Sequence, residues 1–243
     1  MKILLTGSKG FVGSHLLKWL SAHQVTCLDR EDGNDLLTCD LNYDVDLVIH
    51  LAGATGLPLS LKDPKHFWDN NVMASKRIFD QFKGTRIIYA SSSTAKEPAR
   101  NPYAMSKHTM ERIAPQTSLG LRFCTIYSNS QQRPKMFIPR LLRKDLSYIH
   151  TNHKRDFIHI DDICSAISFL MNRDAKGIMD IGTGVSTPLK EITDFFDMQV
   201  EERIGDETER LCNKADVSKL KDLGWTSKIN LFDYLKSQKD LTL

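Results

Sequence analysis

The chain has few cysteines and no order among them: Cys27, Cys39, Cys124, Cys164 and Cys212 are odd in number, scattered, and never arranged as Cys-x-x-Cys. That argues against a disulfide framework and a zinc knuckle, and makes a reducing cytoplasm the expected compartment. Long hydrophobic runs are missing too. The longest, Ile163 to Met171, is about half the length that crosses a bilayer. Lys2 is followed only by Ile3-Leu4-Leu5 before polar Thr6-Gly7, far short of the apolar region of a signal peptide. A soluble protein without a membrane partner is therefore expected. Nor is there an excess of one charge: 33 basic against 30 acidic side chains leave +3, which fits neither disorder nor wholesale nucleic-acid binding. No repeat, low-complexity tract or Gly/Ser linker breaks the chain, so any second domain must be built from insertions between sheet elements. What is present is ordinary globular composition, 41% hydrophobic and 26% charged, in 243 residues. At about 150 residues per domain this allows one large domain or one and a half.

Short apolar runs alternate with amphipathic stretches of helix length, the pattern of a parallel sheet with crossover helices, so the class is α/β. Ile3 to Thr6, Val25 to Leu28, Leu47 to Ala52, Arg86 to Ala90 and Leu121 to Ile126 read as strands. Asp63-Pro64 is a cap followed by proline at the first helical position, and the helix it opens should bury Phe67, Val72, Ile78, Phe79 and Phe82. Asn101-Pro102 repeats the signal. From Arg133 to Arg155 seven basic residues (133, 135, 140, 143, 144, 154 and 155) face one acid, Asp145, which suits an anionic ligand or, equally, a solvated helix face.

The segment Ile3 to Gly13 runs from a strand through Gly7, Gly10 and Gly13 into a helix, Phe11 to Leu20. Glycines there permit a tight turn and let backbone N–H groups of residues such as Phe11 and Val12 approach a pyrophosphate at a helix N-terminus. Asp29 ends the next strand, 22 positions after Gly7, where a carboxylate can accept both ribose hydroxyls of an adenosine. An acid there also repels a 2′-phosphate, favouring NAD over NADP, although Arg30 beside it pulls the other way.

Tyr103 and Lys107 stand at i and i+4 on the helix opened by Pro102, hence on one face. A nearby ammonium favours a phenolate: lowering a tyrosine pKa from ~10 to ~7 takes ~4 kcal/mol, within reach of a close cation plus a bound nicotinamide cation. Such a tyrosine can act as base on a sugar or alcohol hydroxyl. The pair alone is weak; it gains weight from Ser91-Ser92-Ser93 at the end of the strand Arg86 to Ala90, since ligands of open α/β sheets bind at the carboxyl ends of strands.

Nine motifs follow in order: Thr6-Gly7-x-x-Gly10-Phe11-x-Gly13, His50-Leu51-Ala52-Gly53, Asn70-Asn71-Val72, Ser91-Ser92-Ser93, Tyr103-x-x-x-Lys107, Leu121-Arg122-Phe123, Arg155-Asp156-Phe157-Ile158-His159, Ile181-Gly182-x-Gly184 and Leu223-Gly224-Trp225. Together they resemble the extended short-chain dehydrogenase/reductase family, the nucleotide-sugar epimerases and dehydratases. From His50 to Val72 the chain is similar to the UDP-galactose 4-epimerases. The resemblance implies a Rossmann-type doubly wound parallel sheet (residues 1–127, with 156–184 returning to it) and a smaller substrate-binding subdomain (128–155 and 185–243). By position it implies Ser93, Tyr103 and Lys107 as the catalytic trio, with Ser92 the fallback serine. Dinucleotide contacts would come from Gly7, Gly10, Phe11, Val12, Gly13, Asp29, Arg30, Asp40, Leu41, Leu51, Ala52, Gly53, Asn71, Tyr103, Lys107 and Phe123. Substrate contacts would come from Ser92, Ser93, Thr125, Arg155, Arg203 and Asp206. The basic stretch would then meet the two phosphate charges of a sugar nucleotide.

The implied reaction begins when Tyr103 takes the proton of a sugar 4-hydroxyl while hydride passes to NAD, giving a 4-keto sugar. Family dehydratases carry an Asp-Glu pair after the catalytic Thr; here Thr94-Ala95 follows Ser93, and neither is a carboxylic acid. Epimerisation is therefore expected, with NAD(P)-dependent 4-keto reduction or dehydration within the same family as alternatives, and a non-catalytic dinucleotide sensor as the rival from another class. The helices 64–82 and 102–114 should pair two copies into a homodimer. Departures are Lys96-Glu97 where Val-Tyr-Gly is usual, Thr125 in place of an asparagine, and Tyr127-Ser128-Asn129 in place of a Tyr-Gly-Pro turn. Only six residues separate Asp29 from Leu36 and four separate Leu41 from Asp46, too few for crossover helices. A third strand near Leu36 to Leu41 is expected at a shaved sheet edge, with a shallow adenine pocket beside it. No metal site is expected from His150, His153, His159 and Asp161, because Asp161 or Asp162 reads as a cap of the helix that follows. His50 reads as a satisfied structural or cofactor-adjacent histidine.

Overall fold

The computed structural model describes residues 1–128 and 134–241; Asn129 and Arg133 lie outside the described residues. Its contacts divide the chain into one unit of Met1–Phe123 with Cys164–Met179 and a second of Cys124–Ile163 with Asp180–Leu243.

The first unit is built on β1 (Lys2–Thr6), β2 (Gln24–Leu28), β3 (Leu47–His50), β4 (Arg86–Ser92) and β5 (Leu119–Phe123). With β10 (Gly177–Ile181) they form a six-stranded sheet of order β10-β5-β4-β3-β1-β2. The pairs β1–β2, β1–β3, β3–β4 and β4–β5 are parallel, so the α/β class and the doubly wound order hold. Because the order reverses at β1, its carboxyl end opens on the crevice where such sheets receive ligands.

The helix expected from Asp63 starts where its cap requires: the Asp63 carboxylate accepts the His66 N–H at 3.0 Å, and Pro64 stands at the first helical position. It continues in three pieces, α3 (Pro64–Trp68), a π-helical turn (Asp69–Met73) and α4 (Ala74–Gln81). Phe67, Val72, Ile78, Phe79 and Phe82 are buried as expected. The wider turn brings Asn71 and Val72 together into the interior, a displacement typical of functional π-bulges. The short helix α2 (Leu57–Lys62) precedes it and has no counterpart among the expected elements. α5 (Pro102–Ile113) begins at Asn101, whose side chain accepts the Ala104 N–H at 2.8 Å. It packs against α3, the π turn and α4.

The third strand does not form. No strand is assigned to residues 34–46; Leu36 and Leu41 instead drop into the core beside Leu4, Leu28, Val48 and Ile78. The Arg77 guanidinium bonds the carbonyls of Leu36 and Cys39, the latter at 3.0 Å, taking up groups that a neighbouring strand would have needed. Loop connections of this length satisfy the backbone through one side chain and leave β2 as the sheet edge. The strand expected over Leu121 to Ile126 is two: β5, and β6 (Thr125–Tyr127), which pairs with β9 (Phe157–His159). They part at Cys124, whose N–H bonds the Ile181 carbonyl at 3.0 Å.

The second unit joins β6–β9 with two further pairs: β7 (Tyr148–His150) with β12 (Glu201–Arg203), and β8 (Lys154–Arg155) with β11 (Thr187–Pro188). At its centre the fully buried Asp156 carboxylate accepts four bonds of 2.8 to 3.0 Å, from the Thr183 N–H and hydroxyl, the Gly184 N–H and the Ala215 N–H. Neither Asp161 nor Asp162 caps a helix beginning at Ile163, because α7 (Ile160–Met171) starts earlier; Asp162 accepts the N–H groups of Lys228 and Ile229, both at 3.0 Å. All five cysteines are free thiols. Among the described residues no helix is long and apolar enough to cross a membrane.

Candidate active site

Gly7 adopts φ +73°, and a Cβ there would stand 2.6 Å from the Ala52 nitrogen, while one at Gly13 would stand 2.1 Å from the Gly7 carbonyl oxygen. Both positions therefore admit only glycine, and they press the loop against Leu51-Ala52 and onto α1 (Phe11–Trp19). Gly10 is the N-cap, no side chain caps the helix, and its first turn carries no acid. The N–H groups of the first turn thus remain as donors in a positive field, the arrangement that receives a pyrophosphate. Phe11 is buried and Val12 half-buried on that turn.

Asp29 closes β2 and turns back to the loop, accepting the Lys9 N–H at 2.9 Å and the Glu31 N–H at 3.1 Å. A carboxylate offers about four acceptor sites, so two remain for ribose hydroxyls. Arg30 is engaged elsewhere: its guanidinium bonds the Asn70 side chain and lies 3.6 Å from the Asp35 carboxylate. Of the expected adenine pair, Asp40 is exposed and caps the Asn42 N–H at 3.0 Å, but Leu41 belongs to the core. Its burial follows from the missing strand.

Ser92 is the N-cap of a 3₁₀ turn (Ser93–Lys96); its hydroxyl accepts from the Thr94 N–H at 3.3 Å and the Thr94 hydroxyl at 2.9 Å. That occupation makes Ser92 a capping residue; Ser93 is buried at the start of the same turn. Tyr103 is half-buried on the first turn of α5, its ring edge-on to Phe67 at 5.8 Å. One turn on, Lys107 is only 3% exposed and donates to the Ala90 carbonyl at 2.9 Å. Burial pulls its pKa down to about 8, against Glu111, which holds it up. A Cβ on Gly53 would lie 2.8 Å from Asn71 Oδ1 and 3.2 Å from Lys107 Nζ, so this glycine keeps the wall beside the ammonium low. Asn71 bonds both polar groups of the Ala54 backbone, at 2.8 and 3.0 Å, and donates to Ser106 at 2.9 Å. Phe123 is buried at the end of β5. His50 closes β3 with both ring nitrogens engaged, to Thr6 at 2.7 Å and Ser75 at 2.8 Å. Burial, then Lys107, pushes it down to about 3, so it is a neutral structural histidine.

The remaining candidates belong to the second unit. The Arg155 guanidinium lies 3.0 Å from His153 Nδ1 and 3.1 Å from Glu209. Arg203 is paired with Glu201 through two bonds of 2.7 and 2.8 Å and stacks on Tyr148 at 4.0 Å. Asp206 accepts from Thr208, and Thr125 accepts from the Asn213 side chain at 3.3 Å. Within the basic stretch, Arg140 and Arg143 both pair with Asp145, at 3.2 and 2.8 Å. The group that could hold a metal among the described residues is His150, His153 and Glu209, without His159 or Asp161. His153 Nδ1 and Glu209 lie 3.4 Å apart, and Arg155 touches both.

The profile of the NAD dependent epimerase/dehydratase family matches residues 3–182. The chain belongs to that family. Proteins of this family are enzymes that use NAD(P), and a purely sensory role gives way to catalysis. The chain is 29% identical to the protein CapI of Staphylococcus aureus, with 72% of this chain and 71% of that protein covered. It is 26% identical to a putative UDP-glucose 4-epimerase of Methanocaldococcus jannaschii, with 96% of each covered. That alignment runs to 298 positions, more than the 243 residues here, so the archaeal relative carries segments that this family member lacks. The solved structure of MoeE5 in complex with UDP-glucose and NAD superposes with a TM-score of 0.87 at 26% identity, covering 100% of this chain and 98% of that one.

The motifs did not reveal that Thr6 and Ser75 hold His50, nor that Glu111 and Arg122 form an ion pair at 2.6 Å. Arg122 was visible only as a motif letter, and Glu111 only as the next step of the four-residue stripe begun by Tyr103 and Lys107.

Proposed function

We propose that this chain epimerises a nucleotide-activated sugar at C4 through a 4-keto form of the sugar, with NAD as resident cofactor. The observation that carries the reading is the make-up of the turn after β4. Its residues Ser93 to Lys96 carry hydroxyls but no carboxylic acid, Thr94 being bonded to Ser92 and Ala95 buried, and Glu97 at its end is held in an ion pair with Arg100. A base and a hydroxyl can move the 4-hydroxyl proton, and with Glu97 neutralised by Arg100 this turn supplies no uncommitted acid for expelling water.

Tyr103 is the base. Lys107 on the same helix face favours its phenolate and, through the Ala90 carbonyl, is held at the strand end where a ligand arrives. Ser93 shares the proton with the reacting oxygen, and Asn71 shapes the wall behind it. Bound NAD supplies a reversible hydride acceptor. The residues that hold it are the uncapped turn of Gly10 to Gly13 for the pyrophosphate and the free acceptor sites of Asp29 for the ribose, with Leu51, Ala52, Gly53 and Phe123 lining the nicotinamide side. NAD is favoured over NADP because Asp29 repels a 2′-phosphate and Arg30 is already engaged.

The substrate is a nucleoside-diphosphate sugar, and the UDP-glucose held by MoeE5 makes a UDP-sugar the first choice. Arg155 and Arg203 take its phosphates in exchange for Glu209 and Glu201, with Thr125 and Asp206 as further contacts. A homodimer through α3, the π turn, α4 and α5 is supported by exposed Trp68, Met73, Met105 and Ile113 on these helices. A groove of about 700 Å³ lies there, lined by Leu61, Pro64, Trp68, Pro98 and Met105 among others. Sedimentation of a dimer at micromolar concentration supports that assembly; a monomer removes it. The activity is tested by incubating the protein with NAD and a panel of nucleotide sugars and reading products by NMR. An epimer formed without net reduced dinucleotide bears the proposal out; a reduced or dehydrated sugar overturns it.

A further inference from the structure

Tyr103, Lys107 and Glu111 occupy i, i+4 and i+8 of α5, one stripe along the helix. The stripe lies on consecutive residues of β4. Lys107 donates to the Ala90 carbonyl at 2.9 Å, and the Ser91 hydroxyl donates to Glu111 at 2.5 Å. From β5, Arg122 grips both oxygens of the same carboxylate, Nε to Oε1 at 2.8 Å and Nη2 to Oε2 at 2.6 Å. Ser91 and Arg122 are register partners across β4 and β5, so the carboxylate is held by a cross-strand pair. Its side chain is 5% exposed and that of Arg122 is 21%. Buried ion pairs are poor stabilisers, since desolvation offsets most of the attraction, but a two-pronged guanidinium fixes direction as well as distance. Stability alone therefore gives little reason for a charged pair here.

We propose that Glu111 is a positioning residue: clasped by Arg122 and Ser91, it sets the register of α5 on the ends of β4 and β5 and tunes the charge of Lys107 one turn away. The functional consequence rests on the assignment of Lys107 made above; the clasp itself does not. The titratable and charged groups facing Lys107 are His50 from β3 and Tyr103 and Glu111 from its own helix, and those facing Glu111 in turn are Tyr89 from β4 and Arg122 from β5. His50 is neutral and Tyr89 is held protonated by burial, with Glu111 adding to the effect, so the ionised partners that a substitution can unbalance are Glu111 and Arg122.

The two charges make opposite predictions. In Glu111→Gln, Arg122 is left uncompensated and Lys107 loses the carboxylate that favours its proton, so Lys107 titrates lower than in the parent. In Arg122→Met, Glu111 is left uncompensated and Lys107 titrates higher. The readout is the NMR shift of carbon-13 at Lys107 Cε in labelled full-length protein without substrate, assigned by its disappearance in Lys107→Arg. Opposite shifts in the two variants support the proposal; equal shifts, or none, overturn it. The double variant Glu111→Gln/Arg122→Met buries no charge and guards against loss of the fold. There the titration must also fall, by less than in Glu111→Gln, and an unmoved titration equally overturns the proposal. The pH optimum of turnover should follow the same directions. If Lys107 moves and the optimum does not, the clasp stands and the assignment of Lys107 fails.

Discussion

The ionisable groups around Lys107 in the first unit and those around Arg203 in the second are held in opposite ways. In the first, Lys107, His50 and Glu111 are nearly free of solvent, each tied to specific partners, and burial pulls Lys107 and His50 well below their ordinary ranges. In the second, Arg203 and Asp206 stand in solvent, already satisfied by Glu201 and Thr208. Buried charges interact strongly and almost independently of salt, whereas exposed ones are screened and exchange partners at little cost. The contrast fits the proposal that Tyr103 and Lys107 serve proton chemistry while Arg203 and Asp206 take up and release a charged ligand.

The largest expected effect comes from the preorganised side. Tyr103→Phe should lower turnover by about 10²- to 10⁴-fold while leaving dinucleotide affinity near the parent value by calorimetry. Equal loss of binding would mean that the ring is a wall rather than a base. Gly13→Ala places a methyl 2.1 Å from the Gly7 oxygen, so the loop must move. A stability loss of about 1–3 kcal/mol in denaturant melts, together with lost dinucleotide binding, is expected. Intact binding would show that the loop is not the pyrophosphate cradle.

His50 sharpens the contrast through pH. Its folded pKa of about 3 lies below the unfolded value of 6.5, so the unfolded chain takes up the proton first. The stability it contributes is complete above pH 6.5 and is lost as pH falls towards 3. Between pH 6 and 4 that amounts to about 2 kcal/mol, readable in thermal melts, insensitive to added salt, and flattened in His50→Gln. A slope unchanged in His50→Gln would assign the acid sensitivity elsewhere. The smallest effect belongs to the exposed side: Arg203→Gln should leave the melting temperature unchanged and weaken UDP-sugar binding in a salt-dependent way. A large drop in melting temperature would contradict its reading as a ligand contact.

Much of the first unit was legible because its signals are local. Asp63 and Asn101, each followed by proline, start a helix because their side chains accept a backbone N–H three residues on. Gly7 and Gly13 are required by contacts only a few residues away or one strand across. The strand at Leu36 to Leu41 misled because its apolar residues are real core residues; what replaced its pairing was a guanidinium from α4, forty residues on, which no local pattern reveals. The same holds for Glu111, whose partners come from β4 and β5, and for Ser92, whose role as a cap depends on the turn that follows. In the second unit the strands are of two or three residues, too short for periodicity, and its centre is a single carboxylate, Asp156, gathering N–H groups from distant segments.

The central claim is that the C4 carbinol of a sugar nucleotide gives up its proton to Tyr103 and regains its own hydrogen on the opposite face. It is tested most directly with UDP-glucose deuterated at C4, followed by NMR in ordinary water. The account predicts UDP-galactose that keeps its deuterium at C4, formed by the parent protein and not by Tyr103→Phe. An epimer carrying solvent hydrogen at C4, or the same epimer made by Tyr103→Phe at the parent rate, would contradict it.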